Sequence, residues 1–462
     1  MMGTLIVLND QINKFVWGPV SLAILLGFGL YMTIRTGFFQ FTKVKDIADN
    51  TIISIFKGKT KSTNANNVSP YQAMTAAIAS SVGVGSITGV ATAIVAGGPG
   101  AIFWMWMSAL VGMMTKYAEV VLAIHFRKKG ADGIHYGGPM YYIENGLGSK
   151  KLALTFAVFA GVACFGIGNL TQANSIAASM HSAFHIPPAF SGLVLSILAA
   201  LVIFGGVTRI TRVSEKLVPV MAVFYFVGAM IVIGRNIGMV PSVLTSIFQN
   251  AFSLHSAGGG VLGYGVFLAM RFGVARGVFS NEAGLGSAPM LHATANTDSP
   301  VRQGMWGIFE VFVTTICICT MTALVVLTSN VLQTGKTGAV LVSIAFSRTF
   351  GIFGSAFVAI AIFFFAFSTL LGWAYYGECS WCYIFQDHTA LVSKIIRTIW
   401  IPIAFFGSVT ELELVWGIAD TFNGLMMLPN IIALFGLSGI VFRLTSDYIK
   451  GEEKKETVTV EG

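Results

Sequence analysis

Long apolar runs alternate with short polar loops from one end of this chain to the other. Eleven runs are long enough to cross a bilayer as helices, at roughly 16–35, 71–96, 100–126, 151–182, 190–208, 216–240, 258–290, 303–329, 352–385, 391–409 and 413–443. Two of them are interrupted by glycine. Gly83, Gly85 and Gly89 lie inside 71–96, and Gly263, Gly265, Gly273, Gly277, Gly284 and Gly286 lie inside 258–290. A helix broken in hydrocarbon exposes backbone N–H and C=O groups, each costing several kcal/mol unless something pairs with it. The breaks are therefore the first places to look for a ligand. Close helix packing through small residues is the competing explanation.

Positive charge supplies the orientation. Twenty-one Lys and Arg residues fall after the odd-numbered segments and in the C-terminus, and only Lys14, Arg235, Lys336 and Arg348 fall on the opposite side. The positive-inside rule then places the N-terminus outside and the C-terminus in the cytosol. With the first span set aside, ten remain. Segments 71–96 and 258–290 are five apart and point in opposite senses. The pattern predicts an all-α integral membrane protein with a five-plus-five inverted repeat and an extra N-terminal span. Its expected divisions are the extra span and cytoplasmic linker at 1–70, a first repeat at 71–240, a second at 258–443, and a disordered cytoplasmic tail at 444–462.

Composition narrows the function classes. The 462 residues are 55% hydrophobic and 10% charged, against roughly 25% charged in soluble domains. A net charge of +8 is explained by membrane flanks rather than nucleic acid. The five cysteines form no secreted disulfide scaffold, and the Cys379–Cys382 pair has no second ligand pair for a metal. Seven histidines lack ligand spacing, and no phosphate or dinucleotide fingerprint sits in a suitable context. No cleavable leader is evident before the first apolar run. An enzyme and a bound cofactor are not expected.

Candidate chemistry gathers at the breaks. In SSVGVGSITG (80–89), freed N–H groups suit a carboxylate, while freed carbonyls with Ser80, Ser81 or Ser86 suit a desolvated sodium ion. Asn169, Thr171, Gln172 and Asn174 are neutral polar residues in an apolar span, and the Gln172 amide can orient a zwitterion without adding buried charge. Ser368 and Thr369 offer adjacent hydroxyls, and Trp373 follows Thr369 on the same helix face. Arg276 and Glu282 suit an interfacial gate or a structural ion pair. Gly273 and Gly277 beside them are expected as substrate neighbours.

Several stretches carry a resemblance. GGPGAIFWMWMSALVG (97–112), KYAEVVLA (116–123), GNLTQANSIA (168–177), GVFSNEAGLGSAP (277–289) and STLLGWAYYGE (368–378) resemble the alanine or glycine:cation symporter family. The likeness runs from about residue 10 to 445. It implies a fold like that of the neurotransmitter:sodium symporters and sodium-coupled uptake of alanine or glycine across the plasma membrane of a prokaryotic cell. It further implies substrate contacts at Val82, Gly83, Val84, Gly85, Ser86, Gln172, Gly273, Thr369 and Trp373. Sodium, the coupling ion, is implied at Ser81, Val82, Ser368 and Thr369. The chain departs from the family pattern at Val84 and Ser86, which replace a threonine and an asparagine. Thr314 stands where the family often has aspartate. Proton coupling, a larger neutral substrate such as glutamine, and an ion channel are the alternatives.

Overall fold

The computed structural model describes residues 2–57, 68–130, 133–252, 264–410 and 413–452. Much of the expected cytoplasmic linker, the start of segment 258–290 including Gly263, and most of the expected tail lie outside them.

The described chain is almost wholly helical. Helix α1 (Met2–Val16) leads into α2 (Pro19–Arg35), and three short helices follow between Phe39 and Phe56. The first broken unit comprises α3 (Pro70–Ser81) and α4 (Thr88–Gly97). Next come α5 (Gly100–His125), a two-stranded hairpin of β1 (Lys128–Lys129) and β2 (His135–Tyr136), and α6 (Pro139–Leu147). Helices α7 (Lys150–Ala163) and α8 (Thr171–Phe184) are joined by a π-helical turn, Cys164–Leu170. The first half closes with α9 (Pro188–Ile203), α10 (Gly206–Arg235) and α11 (Val240–Phe252).

The second half opens with another broken unit, α12 (Tyr264–Asn281) and the short α13 (Pro289–His292). Helices α14 (Pro300–Val311) and α15 (Thr320–Thr328) flank a second π-helical stretch, Phe312–Cys319. The remainder is α16 (Gly338–Phe350), α17 (Phe353–Ile384), α18 (Thr389–Val409), α19 (Glu413–Leu425) and α20 (Met427–Lys450).

Among the described residues, eight helical stretches are long and apolar enough to cross a membrane. The other three expected spans fall short for visible reasons. Two are broken, and Pro188–Ile203 has only 16 residues. Helix α1 was not expected as a separate element; it packs on α19, and its Asn13 and the Trp17 that follows it both hydrogen-bond to Asp420. On α10, Val220, Val223, Val227, Met230 and Ile231 are exposed, an apolar stripe that suits lipid.

The start of α3 is built locally. Ser69 caps it, accepting from Gln72 N while Gln72 returns a bond to Ser69 N, and Pro70 sits at the first helical position. Gln72 also donates to Glu215 of α10 at 2.8 Å. At the other broken unit, α12 lies tightly on α5. A Cβ on Gly273 would stand 2.2 Å from the Ala101 carbonyl oxygen, and one on Gly277 would stand 2.4 Å from Ser108 Oγ. Backbone meets backbone at Gly273, so this glycine is used for helix packing. The expectation that Gly273 is a substrate neighbour is corrected here.

Gly273→Ala should therefore cost stability by overpacking, on the order of 1–3 kcal/mol. The melting temperature of detergent-purified protein checks this, with the expected drop accompanied by little change in substrate affinity of the surviving folded fraction.

Candidate functional site

The first break begins where α3 ends at Ser81. Val82 leaves helical geometry, Gly83 is extended, and Val84–Ser86 makes one 3-10 turn before α4 resumes. Gly83 N turns back to Ser81 O at 2.9 Å. It therefore does not reach Ala79 O, its ordinary partner four residues earlier. Ser368 Oγ and Thr369 Oγ1 of α17 reach that carbonyl instead, each at 3.0 Å. Ser368 Oγ also lies 2.9 Å from Phe365 O. Two carbonyls and two hydroxyls converge, a donor set of hard oxygens suited to a cation such as sodium.

Ser81 contributes differently from expectation. Its hydroxyl donates to Ala77 O at 3.0 Å and lies 3.3 Å from Glu310 Oε1. Among the described residues its partners do not include Ser368 or Thr369. Ala79, an apolar residue without side-chain chemistry, supplies the oxygen. The signal in the sequence was Gly83, four positions later.

The break also meets Gln172. A Cβ on Gly83 would stand 2.6 Å from Thr369 Oγ1 and 3.2 Å from Gln172 Oε1, so only glycine fits between them. Gln172 lies two residues past the π-helical turn. Its Nε2 donates to Ile167 O at 3.0 Å, which leaves Oε1 to accept from Val84 N at 3.4 Å. That long bond is weak, so the Val84 N–H is open to a stronger acceptor at small cost.

Val82, Gly83, Val84, Gly85 and Ser86 thus share one region with Gln172 and Thr369. A Cβ on Gly85 would stand 2.7 Å from the Phe279 ring, which covers the break. Ser86 Oγ meets Ser280 Oγ at 2.9 Å, and its carbonyl accepts from Thr322 Oγ1 at 2.9 Å. The two broken units therefore touch each other directly. Phe279 was missed because one phenylalanine among 37 carries no mark of its position.

The second break lies at 282–288. Glu282 takes a left-handed conformation with φ 54, unusual for a non-glycine, and Gly284 and Gly286 also have positive φ. Its carboxylate accepts from Trp373 Nε1 at 3.2 Å and from Ser287 Oγ at 2.5 Å. Trp373 is buried and packs on Gly168, where a Cβ would come within 2.2 Å of its own. Trp373 thus ties α17 to the second break. Arg276 sits within α12 ahead of that break and stacks on Phe279 at 5.7 Å. It shares a cavity of about 100 Å³ with Asn13, Arg271 and Asp420. Gly273 packs on Ala101 and Trp104 of α5.

Beneath the first break, Glu310 of α14 is fully buried. It lies 3.4 Å from Lys116 Nζ and accepts from His292 Nε2 at 2.9 Å. Gln303 Nε2 stands 2.9 Å from His292 Nδ1. Charged groups this deep survive only when paired.

Similarity to known proteins agrees with this architecture. The sodium:alanine symporter family model matches residues 2–461. Sodium/alanine symporter AgcS of Methanococcus maripaludis is 42% identical, with 96% of each chain covered. The probable sodium/glutamine symporter GlnT of Bacillus subtilis is 38% identical over 95% of this chain and 89% of its own. Among solved structures, MhsT in complex with L-phenylalanine aligns with TM-score 0.55 over 81% of this chain and 97% of that one. At 14% identity, that likeness speaks for the fold alone. The broken helices, the membrane spans and the match along the whole chain lead to one conclusion: this protein is a transporter, not an enzyme, and belongs to the sodium:alanine symporter family.

Proposed function

We propose that this protein imports a small neutral amino acid, alanine or glycine, together with sodium, by alternating access across the plasma membrane. Its N-terminus then faces outside and its C-terminus the cytosol. The observation that carries this reading is the pair of hydroxyls, Ser368 and Thr369, on the freed Ala79 carbonyl. Sodium replaces the two hydroxyl protons as the partner of that oxygen and is held by Ala79, Val82 and Phe365 carbonyls with both hydroxyls. The ion joins α3 to α17 and fixes the break in the shape that binds substrate.

The amino acid sits beside Gly83. Its carboxylate takes the N–H groups freed around Val84 and Gly85, and its ammonium takes the Gln172 carbonyl oxygen and break carbonyls. Thr369 adjoins both ligands, which couples them. Sodium that favours substrate is by linkage favoured by substrate to the same degree. Phe279 covers the site from one side and Trp373 bounds it toward the second break. The short reach between Gly83 and Gln172 favours alanine or glycine; glutamine, named in one relative, is the second reading. A channel has no use for a substrate site enclosed between two breaks.

Three measurements in proteoliposomes test this. Counterflow with labelled alanine, glycine and glutamine should be strongest for alanine or glycine and should collapse when sodium is replaced by choline at fixed pH. Uptake that persists unchanged without sodium overturns the coupling. Thr369→Ala should raise the sodium concentration for half-maximal uptake, and Ser368→Ala should do the same. Gln172→Ala removes one oriented hydrogen bond, worth about 1 kcal/mol, and should weaken substrate affinity roughly five- to tenfold with expression intact. Unchanged affinity removes Gln172 from the site.

A further inference from the structure

Glu119 of α5 reaches into the second break. Its Oε1 accepts from Gly286 N at 2.9 Å and from Asn430 Nδ2 at 2.6 Å. Asn430 also donates to Gly284 O at 2.9 Å and accepts from the Tyr142 hydroxyl. The unwound segment is thus clasped by one carboxyl and one amide. The other carboxyl oxygen, Oε2, is buried and has no hydrogen-bond partner among the described residues.

That asymmetry is chemically specific. An ionised carboxylate has two equivalent acceptor oxygens, and a buried one draws donors to both. In a neutral acid, the carbonyl oxygen takes the donors and the hydroxyl oxygen carries the proton. Glu282 and Glu310 receive donors on both oxygens, whereas Glu119 receives them on Oε1 alone, so of the three carboxyls Glu119 is the one that carries a proton at least cost.

The surrounding charges point the same way. Lys116, Glu119, Glu310 and His292 are all 0% exposed, and Glu282 is 3% exposed. Lys116, one turn from Glu119 on α5, is engaged by Glu310. The break contributes Glu282, α13 contributes His292, α14 contributes Glu310, and α6 contributes Tyr142. What α7, α20 and α2 bring close to this segment, Phe156, Asn430 and Leu25, is not titratable. Three carboxyls against one lysine leave excess negative charge even with His292 protonated. Uncompensated charge in a membrane interior is costly.

A metal ion does not resolve the excess here. A Cβ on Gly286 would already stand 2.6 Å from Pro139 and 2.8 Å from Phe156. A proton needs one oxygen and no space.

We propose that Glu119 is a proton-binding site, occupied in this conformation and separate from the cation site on the first break. The proton keeps the clasp on the second break neutral, and its loss charges the clasp and loosens it. The site stands whichever ion couples uptake.

Infrared difference spectroscopy reads the proton without any transport step. Wild type minus Glu119→Gln at neutral pH should show the C=O band of a protonated carboxyl; its absence overturns the proposal. In proteoliposomes at saturating sodium, wild-type uptake should fall about tenfold per pH unit above the midpoint of this one-proton titration. E119Q, a mimic of the neutral acid, should stay flat, while Glu119→Asp should keep a slope with a moved midpoint. E119Q with the wild-type slope, or inactive at every pH, overturns the proposal. Should E119Q not accumulate, E119D decides: a carboxyl band and midpoint unmoved from wild type are the overturning result.

Discussion

One constraint organises this molecule: a backbone carbonyl or N–H group in hydrocarbon must have a partner. Two helices that stop partway through the membrane leave such groups behind, and the structure supplies partners from other helices. At the first break they are hydroxyls of α17 and the amide of Gln172. At the second they are the carboxyl of Glu119 and the amide of Asn430. A group paired by a neighbouring side chain is also a group that a ligand can recruit, because the exchange trades one hydrogen bond for another. The same groups inside an unbroken helix are already engaged.

The partners lie on elements that α3 and α12 must move past, if the breaks are to open. Ser368 and Thr369 belong to α17, Gln172 to α8, and Glu119 to α5. Each break is thus a junction between its own halves and a separate scaffold. Gln172 owes its aim to the π-helical turn before it. Thr171 Oγ1 and Gln172 Nε2 both donate to Ile167 O, which fixes the amide so that its oxygen faces Val84. Such turns occur often at functional sites, where they place a side chain off the regular helical register.

How much of this was legible before the fold was known follows from what each residue contributes. The breaks were visible because glycine in an apolar run is conspicuous, and Ser368, Thr369 and Gln172 because polar atoms in hydrocarbon are. Ala79 was invisible, since its contribution is a carbonyl every residue has. Phe279 was invisible among many similar rings. Gly273 misled because a packing glycine and a ligand-lining glycine look alike until the facing helix is placed; here Ala101 of α5 faces it. That the chain holds two broken units was readable from the spacing of its glycines. The contact between them through Ser86 and Ser280 was not, since it joins residues 194 positions apart.

A further cross-tie between the broken units explains why they need not act independently. Glu310 lies against Ser81 at the end of α3 and accepts from His292 at the end of α13. The same carboxylate thereby touches both broken units, while Lys116 holds it from α5. Removing either partner leaves a buried charge less compensated, a penalty of several kcal/mol that falls on both units at once. Movement of α3 away from α17 therefore disturbs the environment of His292, and movement of α13 disturbs Ser81. A ligand bound at the first break would then bear on the second through buried groups that touch both units.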